Sequence, residues 1–408
     1  MSPKNTKHSE RQSLIPQDTP LDKIPAGWHW PLRAFEWSVY GLAFAAPVSI
    51  VAAQFFAGLI LVFGHILLLR GVRRWRLHTV QSALILTFLT VLLLSAVLST
   101  NFNAAIPQLK KSWPLFCFFP LAVLGWSYSG KKMALALIWG TVAASAIGIA
   151  RYLGAGIERA APFSGGYTTL AIFEAAVLPL MIVQLKEWRT KRWVLGGAAL
   201  IVLAGLAMTE TRAGWLAALV GIIIIGTFLN KKATVISLGT IGILALALPQ
   251  TRGIVERRFA VDREGGFSSG RILLWSQALK TLPDMPVLGY GPGSFRRLAP
   301  QEILDEIGDR GISSWHSTPL DILIESGPLA LAAIFGAFLI PAIIAWREFR
   351  ARAAISDGLG VFAALAAVYV AGLTTNLLRD FLLICLLVIL WAGAYRGGNS
   401  AIENARSR

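Results

Sequence analysis

The chain has 408 residues, 55% of them apolar and only 15% charged, with a mean hydropathy of +0.61. A soluble domain carries roughly 25% charged residues, and here the apolar residues come in long blocks, so a set of soluble domains is excluded and an integral membrane protein is expected. The net charge of +16 could suggest a nucleic-acid partner, but its distribution along the chain points to membrane orientation instead, and no nucleic acid is expected.

Residues 1–33 are polar, with no apolar core of signal-peptide type, and read as a cytoplasmic N-terminal tail. Blocks long enough for spanning helices then follow near 34–48, 50–69, 80–98, 112–128, 133–150, 167–185, 193–208, 213–229 and 233–248, giving a nine-helix region over 34–248. A short break at Pro47–Ser49 makes the first two a candidate tight hairpin. Residues 249–326 form the only sizeable polar segment. Three more spans, near 327–346, 354–373 and 380–395, make a second membrane region over 327–396, and 397–408 form a tail. The expected fold is therefore all-α, with about twelve transmembrane helices and one helical loop domain. Cys117 and Cys385 both sit in apolar blocks and read as buried small hydrophobes.

Lys and Arg alternate in density along this scheme. The inner segments, such as "RGVRRWRLH", "KEWRTKR" and the tails, hold 23 of the 38. The short outer links hold only Lys110, Lys111, Arg151, Arg159, Arg212 and Arg379, and the long loop holds nine. Short loops set orientation and long ones translocate largely regardless of charge. Both termini are thus expected inside and 249–326 outside, a periplasmic loop if the membrane is a bacterial inner membrane.

Within that loop, "RILLWSQALKTL" places Trp275, Leu279 and Leu282 on one face of an expected amphipathic helix. "LAPQEILDEIG" reads as a short helix with Pro300 near its start. "GYGPGSF" is glycine-rich, but no Lys-Ser/Thr follows and no βαβ pattern surrounds it, so a nucleotide loop is not expected. The outer segments show no HExxH, paired cysteines or DxD, so no metal and no cofactor are expected.

Three polar residues on the expected outer side suit chemistry. Arg212, in "MTETRAGW", stands in a four-residue link between apolar runs. It is either an interfacial arginine snorkelling to headgroups or a fork of donors for phosphate oxygens. Arg271 follows Ser-Ser-Gly and is expected to open a helix, whose free N–H groups favour anions. His316 precedes "STP", which suggests Thr318 as N-cap, Pro319 at the first helical position and Asp321 at the third. The positive end of that helix would keep the imidazole neutral and able to accept a proton. Asp321 and Glu325, four apart, share a face near it. Asp321 is expected to serve the helix cap.

"TRAGW" after a mid-chain span, "GRILLWSQAL…PVLGYGPGSF" in the loop and "WHSTPLDILIESGPLALAAIF" after it together resemble the O-antigen ligase family. The wider group includes O-antigen polymerases and bacterial protein O-oligosaccharyltransferases. The motif-bearing match runs over about 205–335. The family's Ser-Arg-Gly-Ala-Trp is matched by Arg212–Trp215 with Ala213 and Gly214 exchanged. Its loop arginine, four residues before a tryptophan, is matched by Arg271 and Trp275. Its histidine, commonly His-Asn before Glu-x-Gly, is matched by His316 before Glu325-Ser326-Gly327, with Ser317 in place of the asparagine.

The resemblance implies a glycosyltransferase fold of the GT-C type in the bacterial inner membrane. It also implies transfer of polysaccharide on the periplasmic face from an undecaprenyl-pyrophosphate-linked O-antigen donor to a hydroxyl of a lipid A–core acceptor, among membrane lipids. Arg212 and Arg271 would hold the pyrophosphate, and His316 would act as base. Asp321, Glu325 and Trp275 would be accessory residues. The absence of a carboxylate cluster suggests a metal-independent, inverting displacement. An O-antigen polymerase is the nearest rival. A twelve-helix transporter is the rival of another class, although the expected spans are almost free of internal charge, with Glu174 the clearest exception.

Overall fold

The computed structural model describes residues 26–69, 79–187, 192–229, 267–301, 304–305, 313–352 and 357–406. The described residues are predominantly helical, and no strand occurs among them. Helices α1 (His29–Ala45) and α2 (Ile50–Leu69) are followed by α3 (Thr79–Leu98), α4 (Phe102–Ser112), α5 (Phe118–Val123) and α6 (Gly130–Gly154). Then come α7 (Tyr167–Glu187), α8 (Arg192–Met208), α9 (Arg212–Leu229), α10 (Phe267–Lys280), the short α11 (Phe295–Leu298), α12 (Thr318–Arg352), α13 (Asp357–Gly372) and α14 (Phe381–Arg406).

Five of these are long and apolar enough to cross a membrane: 50–69, 80–98, 130–154, 167–185 and 318–351. Shorter apolar helices lie at 192–208, 212–228, 357–372 and 381–395. The molecule is a helical membrane protein. The span expected at 233–248 lies outside the described residues, as does most of the helix expected at 298–308.

Two helices are buried on all sides. Residues 381–392 of α14 are buried without exception, and residues 170–181 of α7 likewise. A helix apolar around its whole circumference belongs in the middle of a bundle, and α14 packs against α12, α13, α6, α7, α2 and α5. Trp391 meets Phe118 edge-on at 5.9 Å and Phe338 at 5.6 Å. The α1–α2 hairpin forms as expected, closed by Ala46–Val48. At its waist a Cβ on Gly41 would lie 2.3 Å from the Phe56 ring, so only glycine permits the approach.

Glu174 is fully buried at the junction of α6, α7 and α8. Ser145 Oγ donates to its Oε1 at 2.7 Å, and a Cβ on Gly205 would sit 2.2 Å from that oxygen. Its hydrogen bond is to a neighbouring helix, which fits a packing contact.

The single span expected over 112–128 is broken. Residues Trp113–Cys117 form a 3-10 turn containing Pro114, α5 contains Pro120, and Gly125–Ser127 make a second 3-10 turn. Proline withholds an N–H and clashes with the preceding turn. The apolarity of the stretch reflects burial in the bundle, where Leu115, Cys117, Phe118 and residues 121–124 are inaccessible. The amphipathic face expected on α10 is also shifted by one residue. Leu274 and Ala278 are buried, Trp275 and Leu282 pack beside them, and Leu279 is exposed.

Candidate functional site

The glycine-rich loop and the start of α12 interlock. Helix α12 is broken at Gly327, which has φ 79° and ψ 175°. A Cβ there would lie 2.1 Å from the Val287 carbonyl, so a side chain is excluded both by conformation and by space. Above the break, Tyr290 N–H donates to the Ile324 carbonyl at 2.8 Å and Gly291 N–H to the Glu325 carbonyl at 3.0 Å. Ser95 Oγ of α3 also donates to the Glu325 carbonyl, at 2.6 Å. Gly293 N–H donates to the Glu325 carboxylate at 3.0 Å. "GYGPGSF" is thus a clasp that fixes the first turns of α12 against α3.

Those turns hold His316 in a defined pose. Its φ is 52°, a left-handed conformation that costs a residue bearing a Cβ roughly 1–2 kcal/mol. The bonds on either side supply the restraint. Trp315 N–H donates to Asp321 Oδ1 at 2.9 Å and Ser317 N–H to Asp321 Oδ2 at 3.4 Å, so one carboxylate brackets the histidine. His316 N–H itself donates to Ser314 Oγ at 3.3 Å. The Trp315 carbonyl accepts from Trp275 Nε1 at 3.0 Å, and the buried Trp315 ring meets Phe295 edge-on at 4.9 Å. Trp275 lies one turn beyond Arg271 on α10, and residues four apart share a helix face. The tryptophan bond therefore brings Arg271 alongside His316.

The electrostatics record the same convergence. His316 is largely buried, and its pKa is pushed down to about 4 by burial first, then by the charges of Arg271 and Arg379. The Arg271 guanidinium is held below its ordinary range by burial and by the charge of Arg212, with Tyr167 opposing. Arg212 opens α9, and Thr211 caps that helix by accepting from Trp215 N–H at 3.0 Å. Tyr167 opens α7, with Arg159 stacked 4.4 Å from its ring. Arg271 thus lies within reach of the fields of both Arg212 and His316, which are distant from it in sequence.

Two local expectations are corrected. Helix α10 begins at Phe267, so Arg271 stands in its second turn instead of opening it. The direction of helix propagation carries on through Ser-Ser-Gly. Thr318 is not the N-cap of α12. The Ser317 carbonyl accepts the first helical bond, from Asp321 N–H at 2.8 Å, and Thr318 Oγ1 is turned away to donate to the Thr375 carbonyl at 2.8 Å. Asp321 does serve the helix start, reaching back to N–H groups that precede it. The neutrality of His316 was expected from the helix dipole; burial and two arginines are its main causes.

Sequence reasoning passed over Arg379. It lies in the link between α13 and α14, donates to the Glu325 carboxylate and to the Ser313 carbonyl, and has a side chain 14% exposed. The link is sewn to the His316 segment. Thr318 N–H donates to the Thr375 carbonyl at 3.0 Å, and Leu377 N–H to Thr318 Oγ1 at 2.9 Å. Asn376 caps Arg379 N–H at 3.2 Å and also bonds Asp321. The signal that drew attention to Arg212, a cation in a short link between apolar runs, was equally present at Arg379.

Residues 197–335 match the O-antigen ligase family model. The matched segment contains Arg212, Arg271, Trp275, His316, Asp321 and Glu325, and it ends just beyond the Gly327 break. Tyr167 and Arg379 lie outside it, on elements that the bundle brings to the same place. No curated protein matches the chain significantly. Among the described residues, no group of three or more His, Cys, Asp or Glu is arranged to hold a metal ion.

Proposed function

We propose that the protein is an O-antigen ligase of GT-C type in a bacterial inner membrane, acting on the periplasmic side with both termini in the cytoplasm. It moves a polysaccharide from undecaprenyl pyrophosphate to a hydroxyl of lipid A–core oligosaccharide. The observation that carries this reading is the convergence of two arginines and a neutral histidine within the matched segment. In the domain scheme that goes with it, 34–248 and 327–396 are the membrane regions and 249–326 is the periplasmic loop.

In the reaction, the acceptor hydroxyl oxygen attacks the anomeric carbon while the bond from that carbon to the pyrophosphate oxygen breaks. The electron pair leaves with the lipid pyrophosphate, and His316 takes the hydroxyl proton. An imidazole with its pKa near 4 is neutral at periplasmic pH and so available as base. The leaving group gains negative charge as the bond breaks. Arg212 and Arg271 are suited to it, since guanidinium forks match phosphate oxygens and a preorganised donor acts most where charge develops. The donor is already activated, so no nucleotide is needed. Charge neutralisation by two arginines makes a divalent metal dispensable, and one base opposite the leaving group gives inversion. Retention would need a nucleophilic carboxylate at the anomeric carbon. Asp321 and Glu325 are engaged with backbone N–H groups and with Arg379 instead.

The test uses purified protein with lipid-linked O-antigen and rough lipopolysaccharide. Polymer-capped lipid A–core is the expected product, formed after exhaustive chelation and with inverted anomeric configuration by NMR. Growth of lipid-linked polymer without attachment to lipid A would select a polymerase instead. Full ligation by His316→Ala would remove the assignment of the base.

A further inference from the structure

We propose that Arg379, clamped by Glu325 and the Ser313 carbonyl against the His316 loop, is a third cation of this site and a positioning residue that acts through His316. The proposal rests on the reading of His316 as the base, and it adds a residue from outside the matched segment.

The contacts show a built arrangement. Arg379 and Glu325 are both nearly inaccessible, with side chains 14% and 6% exposed. Glu325 is itself fixed by Gly293 N–H, and the backbone around it by Tyr290, Gly291 and Ser95. On the other side, Arg379 reaches the carbonyl three residues before His316. Its own backbone is held by Asn376, which also bonds the carboxylate that brackets the histidine. A buried ion pair contributes little net stability compared with a well-packed apolar pair. Fold stability alone therefore gives weak reason for a guanidinium here, whereas a fixed positive charge beside a base has a direct use. It opposes a resting proton on the imidazole and leaves the ring ready for the proton of the acceptor.

The charged and titratable groups around the ring are these. Arg271 comes from α10, with Arg212 of α9 and Tyr167 of α7 behind it. Arg379 comes from the outer link, next to Asp380, which is tied to Thr169. Asp321 and Glu325 come from α12. Of the two cations acting directly on His316, Arg271 is committed to the leaving group in the reaction above. Arg379 is committed to Glu325, so its charge stays in place through the cycle.

The test separates the charge from the pairing. Arg379→Gln removes the cation while keeping a hydrogen-bonding amide, and Glu325→Gln, which removes the opposing charge and leaves the cation, serves if Arg379→Gln does not fold. Arg379→Lys keeps the charge. Full-length protein in detergent is labelled on histidine, and the His316 ring is titrated by NMR. With five histidines in the chain, the His316 signal is assigned by its loss in His316→Ala. The ligation rate is measured from pH 4.5 to 8 in parallel.

In Arg379→Gln the ring should titrate at higher pH than in the wild type, and in Glu325→Gln at the same pH or lower. A rise of one unit, from about 4 to about 5, would cut the neutral fraction at pH 5 about twofold, and the acid limb of the rate profile should move with it. Arg379→Lys should leave the titration close to wild type. An unchanged titration in folded Arg379→Gln, or a higher one in folded Glu325→Gln, overturns the proposal. Loss of wild-type ligation altogether, or activity in His316→Ala, instead removes the underlying reading, and the NMR titration tells the two failures apart.

Discussion

Asp321→Asn is the most direct probe of how the His316 pose is maintained. The carboxylate takes the N–H groups on both sides of the histidine, at 2.9 and 3.4 Å. An amide can keep its oxygen on Trp315 N–H, the shorter bond, but it then turns its own N–H₂ toward Ser317 N–H. Ser317 is buried, and a buried donor left unsatisfied costs about 1–3 kcal/mol. The left-handed backbone at His316 stores a further roughly 1–2 kcal/mol that the bracket opposes. If about 2 kcal/mol of this releases His316 from its productive pose, the rate falls about thirty-fold. The loss should appear in kcat, with the donor KM held within about twofold, because Arg212 and Arg271 stay on their own helices. Ligation is followed by steady-state kinetics over a range of lipid-linked donor, and folding by thermal unfolding in the same detergent. A kcat within threefold of wild type, in a variant that melts normally, would show that the carboxylate bracket does not govern the base.

The His316 ring should stay neutral from pH 8 down to about 5, as read by its NMR titration. At pH 5 a ring with its pKa near 4 is still about nine-tenths neutral, whereas an ordinary histidine would be only a few per cent neutral. Because the pKa is lowered, the ring is a free base above about pH 4 and is protonated as pH falls through it; a ring titration centred at 6.5 would contradict this. Arg212→Ala and Arg271→Ala should each cost roughly 2–4 kcal/mol in kcat/KM. Their lysine variants should recover only part of it, since a point charge lacks the fork; wild-type rates in both lysine variants would refute bidentate pyrophosphate binding. Gly205→Ala forces a Cβ to within 2.2 Å of Glu174 Oε1 and should destabilise the bundle by about 1–3 kcal/mol, read as a lower unfolding temperature.

The helical membrane character was legible because burial in lipid or in a bundle demands the same apolar blocks. That equivalence also explains the main misreading. Residues 112–128 are apolar for the bundle interior and not for a straight crossing, and Pro114 and Pro120 were the local sign of it. At the site, Arg212, Arg271 and His316 stand out in sequence because each is a polar residue beside an apolar run. What sequence spacing cannot convey is their mutual approach, since it depends on contacts such as Trp275 to Trp315 and Thr318 to Thr375 between segments up to 57 residues apart. Glu325 was legible only as a carboxylate on the same face as Asp321 near His316, because its partner Arg379 lies 54 residues further along the chain. The cap was misplaced by one residue because Thr318 and Ser317 are both good cap formers, and tertiary demand took the threonine hydroxyl elsewhere.

Helix α14, enclosed on all sides, follows the other described helices. Chains are synthesised from the N-terminus, so α1 through α13 are made before the segment they pack around exists. Until residues 381–392 arrive, Phe118 and Phe338 lack the Trp391 ring between them, and the link that bonds Thr318 and Ser313 is not yet in place. The packing around Trp391 and the bonds from the link to Thr318 and Ser313 therefore form only once these later residues have been made, so the His316 loop gains its full set of restraints late in synthesis.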